Sequence, residues 1–442
     1  MLQIITLEYS ESMLEQLRRA CALASGFIWL DSASPWNASA DQPNELLLFN
    51  PDWHSTADKD VLSAMLVRCD TWGDKQHQRY TSTLDAHSPS LRFRGGLAGA
   101  LPYPALEPSD QRVYPVVGDY RNFVEIQHDT QRIFAVVADE ESYELIQQVV
   151  DDKRPIGSQP EFSLTSEWQW AWDRGAYQAA FNQVQAYLAA GDCYQVNLTQ
   201  QCRASFAGHP FEAYWQLRCK ARAPFSAYVS LGRDTQTDAL LCFSPERFLR
   251  IEKGQMLTSP IKGTRARLAD EVLDSQQRQS LSGSDKDRAE NLMIVDLLRN
   301  DLSRFARKGS VKVPELFALH SFSNVHHLIS HVTAELDQAF HPLEALLGCF
   351  PGGSITGAPK QRAREIIEEL EAVPRGYYCG TVFSYSRSGL LDSNIAIRSV
   401  HCAGGSASVS GGGGITTGSA CEAEYDESVD KIRHLMEGLS RL

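Results

Sequence analysis

The pattern that most limits what this chain can fold into is a change of period at Gly191-Asp192. Before it, Tyr177, Phe181, Val184 and Leu188 recur at helical spacing, and Gly191-Asp192 has the chemistry that ends a helix. After it, Tyr194, Val196 and Leu198 alternate with Gln195, Asn197 and Thr199, the two-residue period of a strand with one polar face. A polar strand face is ordinarily solvated, and that is the expectation here.

The same punctuation recurs downstream. Residues 240–243 and 248–251 read as strands on either side of Ser244-Pro245-Glu246-Arg247, and a turn at Lys253-Gly254 leads into Met256-Leu257-Thr258. A hairpin there returns the chain toward its start and brings Lys262 near Glu246. Residues 287–305 read as a helix with Leu292, Val295, Leu298, Leu302 and Phe305 on its buried face. The apolar segments 26–30, 45–49 and 133–137 predict a β-rich N-terminal lobe over 1–150. A polar, Pro- and Gly-punctuated linker follows at 151–165, and 166–442 is read as the catalytic region.

With 442 residues and 43% hydrophobic content the chain can bury a large core. Its formal charge of -13 argues against a general nucleic-acid binder, so an anionic substrate needs local positive charge. The N-terminus lacks a basic, signal-type start, and no run approaches the ~18 apolar residues of a membrane span, so the expected location is the cytoplasm. Ten cysteines without a CxxC pair suit reduced thiols.

Chemistry concentrates in a few places. Pro260-Ile261-Lys262-Gly263-Thr264-Arg265 offers an amine on a tight turn, and Ser244-Pro245-Glu246 offers a carboxyl group; a nucleophile and a proton donor are the two parts of a covalent displacement. On the C-terminal helix, Tyr425, Val429, Ile432, Met436 and Leu439 form one stripe while Glu424, Glu427 and Lys431 cluster about a third of a turn away. The ordinary explanation is a solvated face with an i,i+4 pair. The alternative pairs Glu427 with Glu290 as ligands of Mg²⁺, which takes one or two protein carboxylates with waters and substrate oxygens. Residues 350–360 form a glycine-rich turn, including Gly357, running into a helix, which either aims backbone N–H groups at an anion or simply starts the helix. Its Ala358-Pro359 is incompatible with a Walker A loop. Arg398 ends an apolar strand and suits a carboxylate; the Gly411–Gly414 run allows close backbone approach; His327 could donate to a substrate oxygen.

Taken in order, Gly191-Asp192-Cys193-Tyr194-Gln195-Val196-Asn197-Leu198, Ser244-Pro245-Glu246, Pro260 to Arg265, Ala289-Glu290-Asn291, Gly357-Ala358-Pro359-Lys360, Ile397-Arg398 and Glu424 to Lys431 resemble the chorismate-utilising enzyme family. The resemblance implies an α+β fold, with large, mostly antiparallel sheets flanked by helices in a two-lobed chorismate-binding sandwich. Lysine in Pro-Ile-x-Gly-Thr, where the anthranilate-forming branch has alanine, points to the branch that makes aminodeoxychorismate for p-aminobenzoate and folate; an anthranilate-forming enzyme and a silent chorismate-binding regulator are the alternatives.

The resemblance further implies Glu246 as general acid, Lys262 as nucleophile, and Glu290 and Glu427 as Mg²⁺ ligands with Glu424 close by. Tyr378, Arg398 and the backbone near Gly412 would hold a substrate carboxylate, Lys431 would lie beside the metal-bound carboxylate, and Thr264, His327 and Gly357 complete the substrate-binding set. Gln195 stands where the water-adding relatives place a lysine base. Leu30-Asp31-Ser32 stands where relatives bind tryptophan, as regulator or structural ligand. Ammonia would come from a separate glutamine amidotransferase subunit, because the chain has no Gly-x-Cys-x-Gly segment. The mechanism requires the Lys262 amine below its usual ~10.4 and the Glu246 carboxyl above ~4.3. Ala266 replaces a frequent proline, and Ile415-Thr416 a usual Ile-Val.

Overall fold

A computed structural model describes residues 2–442 except 32–43, 56–59, 74–79, 81, 85–89, 105–112, 152–158, 233–236 and 323–324. Alternation within short apolar strands sets the architecture. In Ile28–Asp31 and Asn44–Phe49, Trp29, Leu47 and Phe49 face one core while Ile28, Leu46 and Leu48 face another. Strands buried on both faces require a layer on each side.

Two large antiparallel sheets result. The first has 13 strands among the described residues and runs from Gln3–Leu7 through Asn44–Phe49, Ile28–Asp31, Phe225–Ser230, Ala239–Ser244, Ser399–Ala403 and Ser406–Ile415 to Gln195–Ala207. The second has 10 and runs from Ile261–Ala266 through Val325–Glu335, Gln255–Thr258, Arg247–Glu252, Leu391–Asn394 and Thr381–Ser386 to Gly96–Leu101 and beyond. A core containing Ile28, Leu48, Ala98, Ala100 and Val382 joins them face to face. Helices Glu11–Cys21, Pro210–Ala221 and Cys421–Leu439 cover the outer face of the first sheet, and Asp285–Ser303 with Pro342–Cys349 cover the second. The fold is thus α+β, two antiparallel sheets flanked by helices.

Residues 152–158 of the expected linker 151–165 lie outside the described residues. Ile28–Asp31 pairs with Phe225–Ser230, and Gly96–Leu101 pairs with Thr381–Ser386, so the N-terminal stretch completes both sheets. Within it, helices Glu11–Cys21, Val61–Asp70 and Glu140–Asp151 accompany the expected strands.

Local signals behave as their chemistry predicts. Helix Arg174–Ala190 is capped by Asp173 and ends at Gly191 with φ 81°. Lys253 and Gly254 both adopt positive φ, 51° and 75°, as a two-residue hairpin turn demands.

Three expectations are corrected. The polar face of Gln195–Ala207 is not solvated: Gln195 is 0% and Thr199 6% exposed, because Ser406–Ile415 pairs alongside and helices pack across it. Leu292 is 45% exposed; the helix is Asp285–Ser303, and its buried face uses Asn291, Ile294, Val295, Leu298 and Leu302. Asn291 belongs there because its amide bonds Leu328 O and accepts from Ser330 Oγ at 2.6 Å. On Cys421–Leu439 the expected stripe packs inward at Ile432 and Leu439 and partly at Tyr425 and Met436, but the buried face also takes in Glu424, Ser428 and Leu435, so Glu424 is not displayed to solvent.

Candidate active site

The chain passes between the two sheets at a seam, and chemistry collects there. Ser244-Pro245-Glu246 links Ala239–Ser244 of the first sheet to Arg247–Glu252 of the second, while residues 395–398 link Leu391–Asn394 back to Ser399–Ala403. The crossovers brace each other: Ile395 N donates to Glu246 O and Phe243 N donates to Arg398 O, both at 3.1 Å. Ser244 Oγ donates to Ile395 O at 2.6 Å and accepts from Glu246 N at 3.1 Å. Crossing so tightly holds Arg398 at φ 50°, a conformation costing a non-glycine residue roughly 1–2 kcal/mol.

Lys262 enters from the second sheet. Between Ile261 and Thr264 the register against Val325–Glu335 slips by one residue, with Gly263 at φ 78°. Such a bulge re-aims a side chain. That positive φ favours glycine, and an added Cβ would also crowd the Leu281 side chain at 2.8 Å and that of Asp287 at 3.0 Å.

Acid and amine share one residue of the glycine-rich turn. Ser354 Oγ donates to Glu246 Oε1 at 2.8 Å, and Ser354 O accepts from Lys262 Nζ at 3.3 Å. Burial pushes the Glu246 carboxyl up, opposed by the Ser354 hydroxyl and the Lys262 charge. Burial likewise lowers the Lys262 amine, opposed by Glu246 and Glu290. Both groups are thus driven toward their neutral forms.

The turn itself is anchored by the buried pair Arg375 and Glu371, joined at 2.6 and 2.8 Å. Arg375 also donates to Ile355 O and Asn197 O, each at 2.8 Å. Lys360 donates to Asp301 Oδ2 at 2.6 Å and to Cys349 O at 2.9 Å, fastening the loop to helix Asp285–Ser303. Gly357 pairs with Val196, and a Cβ on it would lie 2.1 Å from Gln195 O.

The C-terminal helix supplies the opposite wall. It approaches Ser406–Ile415 closely because that strand is glycine-rich: a Cβ on Gly411 would lie 2.2 Å from Ser428 O, and one on Gly413 would lie 3.0 Å from Glu424 Oε2. Lys431 Nζ donates to Gly412 O at 2.9 Å and pairs with Glu427 Oε1 at 2.8 Å. Burial pushes Glu427 up, but Lys431 outweighs it and leaves the carboxyl below its usual range. Glu424, 4% exposed, accepts from Ser419 at 2.7 Å, and burial pushes it up; burial does the same to Glu290. Lys286 stands 3.8 Å from Glu290 Oε1 and 3.9 Å from Glu424 Oε1, so those two carboxylates face a common cation.

His327 lies across from Thr264 in register and shares a 2.9 Å hydrogen bond between Nδ1 and Thr264 Oγ1. Burial and the Arg398 charge lower it to about 4. His434, an exposed residue on which the Arg398 charge also acts, extends the helix face Glu424, Glu427, Lys431 by one further step of three. Burial alone lowers Arg398, and among the described residues no carboxylate is recorded against its guanidinium. Gln195 is buried, and among the described residues neither of its amide atoms has a hydrogen-bond partner.

Tyr378 is buried beside Arg375 and Cys379, and among the described residues no hydrogen bond joins it to Glu246, Lys262 or Arg398. Ser32 lies outside the described residues; its neighbours Leu30 and Asp31 line a separate cavity of about 140 Å³ with Phe93, Glu125 and Asn394.

Sequence reasoning missed Ser354, Lys286, Arg375 and His434. The spacing Glu427, Lys431, His434 was the signal available for the last.

Residues 26–437 match the family described as chorismate binding enzyme. Aminodeoxychorismate synthase component 1 of Escherichia coli (strain K12) is 47% identical over 290 residues, covering 66% of this chain and 63% of that protein. The chain thus spans under two thirds of that relative's length. Anthranilate synthase component 1 of Bacillus subtilis (strain 168) is 38% identical over 278 residues, 63% of this chain and 53% of the relative. Among solved structures, anthranilate synthase component I from Streptococcus pneumoniae TIGR4 superposes with a TM-score of 0.76 at 24% identity, covering 90% of this chain and 93% of that one. That likeness carries the fold alone, while the match over 26–437 decides the lineage: this chain belongs to the chorismate binding enzyme family.

Proposed function

We propose that this chain converts chorismate and ammonia to 4-amino-4-deoxychorismate, the precursor of p-aminobenzoate. The observation that carries the reading is the Ser354 bridge, which presents a buried carboxyl and a half-buried amine to the same space with both favoured in their neutral forms.

In that reaction the neutral Lys262 amine bonds to C2 of the ring, both ring double bonds shift by one bond (C1=C2 to C6=C1 and C5=C6 to C4=C5), and the C4–O bond breaks as Glu246 protonates the departing hydroxyl, releasing water. Ammonia then bonds to C4, both double bonds shift back, the C2–N bond to Lys262 breaks to return the free amine, and the proton shed by the new C4 ammonium restores the Glu246 acid. Arg398, a cation lacking a recorded carboxylate, and Lys431 with the Gly412 backbone receive the substrate's carboxylates; Tyr378, Thr264, His327 and Gly357 complete its surroundings. Gln195 has no proton to exchange near neutral pH, which favours amination over hydration at this site.

The donor set fits Mg²⁺. Glu290, Glu424 and Glu427 offer hard oxygen ligands, and burial pushes Glu290 and Glu424 up, so each is an acid short of counter-charge that a divalent cation would supply. Bound there, Mg²⁺ would supply positive charge to a substrate carboxylate in an otherwise acidic protein. The component 1 name of relatives supports a second component, and we assign to it the delivery of ammonia, as a separate glutamine amidotransferase subunit acting in the cytoplasm. Among the described residues no helix is long and apolar enough to cross a membrane. We assign tryptophan, as regulator or structural ligand, to the cavity beside Leu30 and Asp31, whose size resembles cavities that accept one aromatic ring.

The test is incubation of the purified chain with chorismate, Mg²⁺ and ammonium, followed by mass identification of the product. Aminodeoxychorismate, lost in Lys262→Ala, is expected. Anthranilate fluorescence from the unaltered chain would place it in the anthranilate-forming branch, and no Mg²⁺-dependent consumption of chorismate would make it a silent binder.

A further inference from the structure

Strand Lys312–Ser321 forms the edge of the second sheet and pairs only with Val325–Glu335 among the described residues. Glu315 stands directly across from His331, and His320 across from His327. Residues five apart on a regular strand face opposite sides. Here the register slips by one residue between Glu315 and Ala318, with Phe317 at φ 56°, and the slip returns His320 to the face of Glu315 and His331.

The resulting contacts are unusual for ion pairs. Glu315 Oε2 lies 3.5 Å from His320 Nε2 and 3.4 Å from His331 Nε2, and the three donor atoms all lie within 4.8 Å of one another. Charge-assisted hydrogen bonds close to about 2.7–2.9 Å. Two ligands at ~2.0 Å from a tetrahedral zinc ion are, by contrast, roughly 3.3 Å apart. The imidazoles also turn toward the carboxylate through the same nitrogen. His331 is fixed in that sense, because its other nitrogen, Nδ1, is held by Ser259 Oγ at 2.8 Å, as the outer partner of a ligating histidine holds it.

We propose that Glu315, His320 and His331 bind one divalent ion of the zinc class, with the fourth position open to water or to an incoming ligand. The nitrogen ligands distinguish it from the all-carboxylate set at Glu290, Glu424 and Glu427. An ion there would clip the edge strand onto the strand that carries His327. The proposal is independent of which reaction the enzyme performs.

The test is zinc titration of the full chain by calorimetry with Mg²⁺ present in excess, in a Cys219→Ser background that removes the exposed thiol. One Zn²⁺ per chain is expected, with affinity falling at least about 100-fold in the His320→Ala, His331→Ala double variant and about tenfold in Ser259→Ala. Equal affinity in the double variant, or no binding at millimolar zinc, overturns the site. Should the double variant fail to fold, the Co²⁺ spectrum of the Cys219→Ser chain decides. An intense visible band of a four-coordinate nitrogen and oxygen site supports the assignment, and the weak spectrum of hydrated Co²⁺ overturns it.

Discussion

Two buried clusters of charge lie in this molecule, and they are built on opposite terms. Against the first sheet, Arg18 grips Glu45 with two hydrogen bonds of 3.0 and 2.7 Å, Trp29 and His128 reach the same carboxylate at 3.2 and 2.8 Å, and Arg218 grips Asp31 in the same way. Burial pushes Glu45 up, yet the surrounding cations more than offset it and hold the carboxyl well below its usual range. At the seam between the sheets the balance reverses. Glu246, Glu290 and Glu424 are pushed up and Lys262 and Arg398 down, each chiefly by burial. Charges that hold the fold are paired inside it; charges awaiting a substrate are left partly uncompensated.

That contrast predicts opposite responses to substitution. Glu246→Gln keeps the shape and removes the acid, so kcat should fall about 10²–10⁴-fold. Its stability should move the other way. A carboxyl raised in the folded state contributes stability fully below the unfolded pKa and loses it as pH rises through the folded value, so glutamine should be the more stable residue at neutral pH and above. Chemical denaturation at several pH values reads this; a less stable variant at neutral pH breaks the contrast.

In the paired cluster, Arg18→Ala leaves Glu45 buried with a lost partner and should cost about 3–5 kcal/mol, measured by the same denaturation, with little change in KM. Next in size, Arg398→Ala removes the cation offered to a substrate carboxylate and should raise KM for chorismate roughly 10–100-fold, the equivalent of about 1.5–3 kcal/mol. An unchanged KM would remove Arg398 from the binding set.

The smallest effect sharpens the comparison at acid pH. His327, lowered to about 4, stays neutral in the fold while the unfolded chain takes up a proton below about 6.5, so falling pH costs stability across that window. His327→Asn should flatten the stability profile between pH 6.5 and 4. A profile identical to that of the unaltered chain would show that His327 takes up its proton as readily in the fold as out of it.

Much of this site was legible in the sequence because its central pair is local. The Lys253-Gly254 turn folds one strand onto the next, so Glu246 and Lys262 meet through a hairpin that residue types alone suggest. Helix Arg174–Ala190 and the strand after it were equally readable, since period and cap agree. What was hidden depends on distant partners. Ser354 is 108 residues from Glu246, and Arg375 is 178 residues from the Asn197 carbonyl it holds; neither carries a local pattern. The polar face of Gln195–Ala207 misled for a related reason: alternation reports that one side of a strand is polar, and only the layer across from it decides whether that side meets water.

The central claim is that the fold holds the Lys262 amine uncharged more readily than water does. Its most direct test is NMR titration of ε-carbon-labelled lysine, with the Lys262 resonance assigned from Lys262→Ala. Titration of that resonance distinctly below the ordinary ~10.4, while the other lysines stay near it, is the result predicted. A Lys262 resonance titrating at or above 10.4 would contradict it.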